Sequence, residues 1–73
     1  MTGEQYQNAI DHIGMTQVGS ARFFGVHERT PRRWISGSLT IPSAVAMLLR
    51  VMIHYSLTPD NVLHIAQQDR VAR

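Results

Sequence analysis

Apolar side chains recur at helical spacing near the start of the chain. The first stripe occupies positions i, i+3, i+4 and i+7 and consists of Tyr6, Ala9, Ile10 and Ile13. This period is that of one buried face of an amphipathic helix. Thr2, followed three residues later by Gln5, is a capping-box start, and Gly14 is a helix stop. The pattern predicts a first helix over Gly3–Ile13.

A shorter helical pattern follows between a threonine and a glycine. Thr16 is a favourable N-cap and Gly25 is a stop, which predicts a second helix over Gln17–Phe24. The residues expected to face inward are Val18, Ala21 and Phe24. Gly19 lowers the intrinsic helix propensity by about 1 kcal/mol relative to alanine, so this helix depends on packing.

The third helix ends at Gly37, but its start has two readings. With His27 as the cap, Pro31 is the fourth helical residue, where its ring crowds a carbonyl. With Thr30 as the cap, Pro31 takes the first helical position, which suits it. An irregular, tightened turn over residues 28–30 is expected to precede the regular helix.

The second half of the chain contains two further helical patterns. Pro42 opens a helix predicted over residues 42–56. Its expected core stripe is Val45, Leu48, Leu49, Met52 and Tyr55. Thr58 caps a fifth helix, predicted over residues 59–68 with proline at its first position. Its expected core stripe is Val62, Ile65 and Ala66.

Five helical patterns without a strand signal predict one all-α domain over residues 1–73. A chain of 73 residues buries only roughly 60% of the surface that it exposes when unfolded, so its stability is small. The absence of Cys excludes disulfides and thiolate metal sites. No apolar run approaches the ~20 residues that span a bilayer, and the polar N-terminus does not resemble a signal peptide. These features predict a cytoplasmic protein without membrane association.

The net charge is only +2, but the basic residues are clustered. All seven are arginines, and four of them, Arg22, Arg29, Arg32 and Arg33, lie within twelve residues that contain a single acid, Glu28. A basic patch on one face is the electrostatic signature of a phosphate-binding surface. A solvated face without a partner would show the same charge pattern.

The third helix has one apolar and one basic face. At the helical period, Pro31, Trp34 and Ile35 define the buried face, and Arg29, Arg33 and Ser36 share the opposite one. Thr30 and Arg32 lie on the two flanks. Exposed arginines on a short helix suit readout of the DNA major groove, since a guanidinium donates two hydrogen bonds to guanine O6 and N7. The alternative is an arginine-rich solvent face with a Glu28–Arg32 pair at spacing i, i+4.

Residues 16–37 resemble the helix-turn-helix of the phage-repressor (Cro-like) superfamily, and the long helix after Pro42 is similar to that of small bacterial members. The residues that carry the resemblance are Thr16, Gln17, Ala21, Gly25, Val26, Arg32, Arg33, Trp34, Ser36 and Gly37. Three positions depart from the usual pattern: Ser20 replaces a large apolar residue, His27 a serine-like cap and Pro31 an aliphatic core residue. The resemblance implies a five-helix, lambda-repressor-like DNA-binding domain.

The same resemblance implies which residues meet DNA. The positions of Glu28, Arg29 and Arg33 approach base edges. Those expected to contact the DNA backbone are Thr16, Gln17, Thr30, Arg32, Ser36 and Ser38. In the family, the residues matching Thr16 and Gln17 cap the second helix and clamp a phosphate.

Glu28 and Trp34 each have a second reading. The Glu28 carboxylate can accept a hydrogen bond from cytosine N4 or repel phosphate, but it can equally do no more than favour a helix N-terminus. Trp34 could stack on a base, but its helical position predicts that it belongs to the core.

No constellation for catalysis or metal binding is evident. The four histidines form no pair on one helix face and have no adjacent carboxylate cluster, whereas zinc requires three or four convergent ligands. No serine or threonine has an obvious base, and no glycine-rich phosphate loop occurs. The sequence therefore predicts a protein that is not an enzyme and uses no cofactor.

The leading hypothesis is a nucleoid-associated regulator, most simply a transcriptional repressor, that binds double-stranded DNA as a homodimer. The expected dimer interface consists of Met47, Val51 and Leu63, which lie outside or at the edge of the core stripes. The alternative is a protein-interaction module of the same fold, such as an anti-activator or an antitoxin-like partner. It would use the apolar outer face of the fourth helix in place of the arginines.

Overall fold

The computed structural model describes the backbone of residues 1–71 and the side chains of residues 1–67. This part of the chain contains helices and no strand, as predicted. The helices are α1 (Gly3–Ile13), α2 (Gln17–Phe24), α3 (Thr30–Ser36), α4 (Ser43–His54) and α5 (Pro59–Val71). Within the described residues, no helix has the length and apolar character needed to cross a bilayer.

Local capping explains why the bounds of α1 and α2 match their predictions. The Thr2 hydroxyl accepts a hydrogen bond from the Gln5 N–H at 3.1 Å, and the Gln5 amide oxygen accepts from the Thr2 N–H at 2.8 Å. The Thr16 hydroxyl accepts from the Gly19 N–H at 2.9 Å. Each helix ends at a glycine in left-handed backbone. These bonds satisfy N–H groups that the first turn of a helix leaves without a partner.

Helix α1 is the centre of the packing, because α2, α3 and α4 all contact it. The core combines residues from α1, α3, α4 and the loop before α4: Tyr6, Ala9, Ile10, Trp34, Ile41 and Leu49. The rings of Tyr6 and Trp34 meet edge to face, with centroids 5.3 Å apart. Such a contact contributes about 0.5–1.5 kcal/mol beyond the apolar area that it buries.

One residue of the predicted α2 core stripe and one of the predicted α4 core stripe are exposed. The buried side of α2 is centred on Ser20 and Ala21, so Val18 is turned away and is 42% exposed. Tyr55 lies beyond the last residue of α4, where the helical period no longer sets the direction of a side chain, and it is 68% exposed. Ala46 occupies a buried place on α4 that the predicted stripe omitted.

The predicted bounds of α4 and α5 are also corrected. Helix α4 ends at His54, two residues before the predicted end, and α5 continues to Val71 instead of ending at residue 68. The α5 stripe was wrong, because Ile65 and Ala66 are exposed and Val62 is only half-buried. None of the principal helix–helix contacts of the described residues involves α5. Its weak amphipathic pattern was insufficient to indicate a buried face.

The turn after α4 contains backbone strain at Ser56. Its φ angle is +55°, and among the described residues it is the one non-glycine with positive φ. The Leu57 N–H donates to the Met52 carbonyl at 2.8 Å, so the chain wraps back over the end of α4. Left-handed backbone costs an L-residue roughly 1–2 kcal/mol, whereas glycine adopts it freely.

We therefore expect Ser56→Gly to raise the free energy of unfolding by about 1 kcal/mol. For a domain of this size that corresponds to a rise in Tm of about 4–8 °C in thermal unfolding followed by circular dichroism. Ser56→Ala is the matched control, since it removes the hydroxyl but keeps the strain. A glycine variant that melts at or below the wild-type temperature would contradict the prediction.

Candidate nucleic-acid interface

A tight turn joins α2 to α3. The Val26 N–H donates to the Ala21 carbonyl at 3.0 Å, which closes the end of α2. The Thr30 N–H then donates to the His27 carbonyl at 2.9 Å, and this is the tightened turn expected before the regular helix. Helix α3 begins at Thr30 with Arg29 as its cap residue, so neither predicted cap is the observed one.

The local reason for this start lies in Pro31 and His27. Pro31 takes the second helical position, where its missing N–H leaves no helical bond unmade. The His27 ring nitrogen Nδ1 accepts a hydrogen bond from the Arg29 N–H at 3.1 Å. His27 thus caps from two positions before Arg29, in the manner of an Asx turn.

The apolar side of α3 fixes the helix on the core. Pro31 is buried, Trp34 is 3% exposed and Ile35 is half-buried, in agreement with the predicted inward face. The Trp34 ring also meets Phe24 edge to face, with centroids 6.4 Å apart. Trp34 is therefore a core residue, and its ring is not available to stack on a base.

The opposite side of α3 is exposed and basic. Arg29, Arg33 and Ser36 point to solvent, as predicted, and Arg32 is exposed on the flank. Among the side chains that the structure describes, Glu28 and Arg32 form no ion pair with each other. The alternative predicted from the i, i+4 spacing is therefore not formed, and the Arg32 guanidinium is not held by Glu28.

The end of α3 carries a small hydroxyl cluster. The Ser36 hydroxyl donates to the Arg33 carbonyl at 3.1 Å and lies 2.8 Å from the Ser38 hydroxyl. The Ser38 N–H donates weakly to the same Ser36 oxygen at 3.4 Å. Ser36 and Ser38, both predicted to contact the DNA backbone, are therefore bonded to each other, at the opposite end of α3 from Arg29.

The start of α2 faces the start of α3 across an open cleft. The cleft has a volume of about 410 Å³ and is lined by Gln17, Val18, Glu28, Arg29, Arg32 and Ile35. It brings together a residue assigned to the DNA backbone, Gln17, with two assigned to bases, Glu28 and Arg29. The exposed Val18 contributes apolar surface to its wall.

Two polar side chains of α1, Gln7 and Asp11, hold Gln17 through a chain of hydrogen bonds. The Gln17 Nε2 donates to the Gln7 Oε1 at 3.0 Å, and the Gln7 Nε2 donates to the Asp11 Oδ1 at 2.8 Å. One Nε2–H of Gln17 remains for another acceptor. The i, i+4 spacing of Gln7 and Asp11 is visible in the sequence, but nothing in the sequence indicates that Gln7 reaches α2.

A buried polar pair links α1 to the same first turn of α2. The Tyr6 hydroxyl donates to the Ser20 hydroxyl at 2.7 Å, and Ser20 donates to the Gln17 carbonyl at 2.8 Å. Both side chains are fully buried. Burial raises the pKa of the Tyr6 phenol above 10.0, and the bond to Ser20 partly opposes this, so the phenol is a neutral donor at physiological pH. Ser20, which stands where the resemblance implies a large apolar residue, is therefore explained by its hydrogen bond with Tyr6.

Gly3 sets how closely α1 approaches the end of α3. A Cβ built on Gly3 would lie 2.7 Å from the Ile35 carbonyl carbon and closer still to its oxygen. Since backbone atoms cannot yield as a flexible side chain does, a larger residue would push α3 away. The sequence predicted Gly3 only as the first residue of α1, because a contact between helices leaves no local signal.

The three residues predicted to form a dimer interface are exposed. Met47 is 63% exposed on α4, and Val51 and Leu63 are each close to half exposed. Met47 and Val51 are spaced four residues apart and form a row on α4, and Tyr55, the cap residue after this helix, is exposed as well. This apolar surface lies on elements other than those that form the arginine surface.

No protein-family model, curated protein or solved structure matches this chain. Among the side chains that the structure describes, no three His, Asp or Glu residues converge on a candidate metal position.

Proposed function

We propose that this protein is a sequence-specific double-stranded DNA-binding regulator with a lambda-repressor-like helix-turn-helix formed by α2 and α3. The observation that carries the proposal is the two-sided character of α3. Pro31 and Trp34 fix one side on the core, and Arg29 and Arg33 extend from the other. A rigid helix that presents arginines is what direct readout of the major groove requires.

The dimensions of α3 support the same role. An α-helix with its side chains is about 10–12 Å across, which fits a major groove about 12 Å wide, and the seven residues of α3 extend for about 10 Å. In this docking, Arg29 and Arg33 donate to guanine O6 and N7, and Glu28 accepts from cytosine N4. These interactions supply the sequence preference.

The surrounding polar groups position the helix on the DNA backbone. Gln17 donates its remaining amide N–H to a phosphate. The free backbone N–H groups at the start of α2 point to the same phosphate. Thr16 and Arg32 contribute further donors near Gln17, Thr30 contributes one on the opposite flank of α3, and the Ser36–Ser38 hydroxyl pair does so at the end of α3. Phosphate contacts fix register without reading sequence.

The test is selection of binding sites from a random duplex library, followed by titration of the selected duplex and a scrambled one at several salt concentrations. We expect a defined consensus, and a logarithmic salt slope of roughly −0.9 for each phosphate contact. Gln17→Ala should weaken both duplexes alike and leave the consensus unchanged. Selection that yields no consensus would overturn the proposal.

The apolar row on α4 favours a second component of the function, a two-fold homodimer. Met47 and Val51 are exposed on α4 and Leu63 is exposed on α5, which makes none of the principal helix–helix contacts of the described residues. Pairing through this surface leaves both α3 helices free, and they can then enter successive major grooves about 34–36 Å apart. Occupancy of the same row by a different protein, as in an antitoxin, is the alternative.

We expect Met47→Glu and Val51→Glu to produce helical monomers that bind the selected site weakly. A buried carboxylate in the interface opposes association, while both positions are exposed in the monomer. Light scattering and circular dichroism on one sample measure mass and helicity. Asn8→Glu, which adds the same charge to an exposed position on α1, is the matched control. A wild-type protein that is monomeric both free and on DNA would contradict the dimer, and the DNA-binding role would stand.

A further inference from the structure

His27 is fixed to the start of α3 by one side of its ring. Its Nδ1 accepts the Arg29 N–H at 3.1 Å, and its carbonyl accepts the Thr30 N–H at 2.9 Å. The side chain is exposed, so the ring is held by these bonds and not by burial.

The hydrogen bond at Nδ1 determines where the imidazole proton resides. A backbone N–H can only donate, so Nδ1 must carry a free lone pair. In a neutral imidazole one nitrogen accepts and the other donates, and the proton is therefore on Nε2. His27 thus presents an N–H donor on the side of the ring away from the turn.

Hydrogen-bond donors line the cleft beside His27, and no carboxylate is among the described residues of its lining. A cleft of about 310 Å³ is lined by His27, Arg29, Thr30 and Arg33. The guanidinium groups of Arg29 and Arg33 and the imidazole N–H of His27 are all hydrogen-bond donors, so a ligand in this cleft must supply acceptors. On DNA, acceptors are phosphate oxygens in the backbone, and purine N7, guanine O6 and thymine O4 at base edges in the major groove.

We propose that His27 is a further specificity-determining residue, whose Nε2–H donates to a base-edge acceptor beside the base pair read by Arg33. The base edge is favoured over phosphate because His27 shares its cleft with both arginines assigned to bases. This inference rests on the proposed DNA-binding function. It also explains the histidine at the turn, since the ring both closes the turn through Nδ1 and reads DNA through Nε2.

Two substitutions separate the two nitrogens. In His27→Asn, the amide oxygen can accept the Arg29 N–H, as in an Asx turn, but the distal donor is lost. In His27→Gln, the longer amide places its N–H near the position of Nε2. We expect His27→Asn to lose about tenfold of the preference at one base pair of each half-site, and His27→Gln to retain most of it. Circular dichroism should show the wild-type helix content in both.

The readouts are the affinity for the selected duplex with each base pair changed in turn, and the imidazole nitrogen chemical shifts of the free protein. His27→Asn with the full wild-type preference, or an equal loss on every duplex as for a phosphate contact, would overturn the role of His27. A proton on Nδ1 in the free protein would also overturn it. A wild-type protein without any base preference would instead overturn the proposed function on which this role depends.

Discussion

Replacement of Arg33 by alanine is expected to lower affinity for the selected site by roughly 5- to 150-fold per half-site. The estimate corresponds to the ~1–3 kcal/mol by which a bidentate arginine–guanine contact discriminates between bases. Arg33 is exposed near the middle of the basic face of α3, and Trp34 beside it anchors the helix in the core. Binding to random duplex should fall much less, because that binding depends on charge.

Fluorescence anisotropy on the selected and the scrambled duplex measures the Arg33→Ala effect. Arg33→Lys keeps the charge but loses the planar fork, so it should retain non-specific binding and lose most of the preference. Arg50→Ala is the matched control, because Arg50 is exposed on α4 beside a groove formed with α1, away from α3. Equal losses on both duplexes would make Arg33 a phosphate contact and refute its assignment to a base.

Replacement of Ser20 by alanine is expected to cost about 1–3 kcal/mol of unfolding free energy. The change leaves the fully buried Tyr6 hydroxyl without an acceptor, and an unsatisfied buried donor incurs its full desolvation penalty. Tyr6→Phe should cost less, since Ser20 would still donate to the Gln17 carbonyl. In a domain of 73 residues, each kcal/mol corresponds to about 4–8 °C in Tm.

The double variant Tyr6→Phe with Ser20→Ala provides the test of mechanism. Removing both hydroxyls leaves no orphaned donor, so the double variant should be more stable than the sum of the single effects predicts. Urea unfolding of the four proteins gives the coupling energy. Strict additivity would mean that the hydroxyl pair observed at 2.7 Å contributes nothing as a pair.

Local chemistry accounts for what the sequence predicted correctly. The bounds of α1 and α2 depend on threonine caps and stop glycines, and these act within a few residues of chain. The two faces of α3 follow from the helical spacing of Pro31 and Trp34, which places both on one side, and both are buried. The exposed arginines opposite them were thus predictable without knowledge of any neighbour.

Contacts between helices account for what the sequence did not predict. The approach of Gly3 to Ile35 and the link from Gln7 to Gln17 each join residues that only the tertiary arrangement brings together. The cap of α3 also differed, because Arg29 takes the place predicted for His27 or Thr30 and its N–H donates to the His27 ring. Helical period predicted wrong core residues where a helix ended early, as at Tyr55, or lacked a packing partner, as at Ile65.

The position of Trp34 gives the protein a built-in optical reporter. It is the sole tryptophan of the chain, and its ring lies between Tyr6 and Phe24 at the back of α3. Tryptophan fluorescence therefore comes from the buried side of the proposed recognition helix, where α3 packs on the core. Binding of DNA on the far side of α3 leaves this ring in its apolar surroundings, whereas release of α3 from α1 exposes it to water and shifts the emission to longer wavelength. One fluorescence spectrum thus distinguishes a variant that fails to bind DNA from one whose recognition helix has detached.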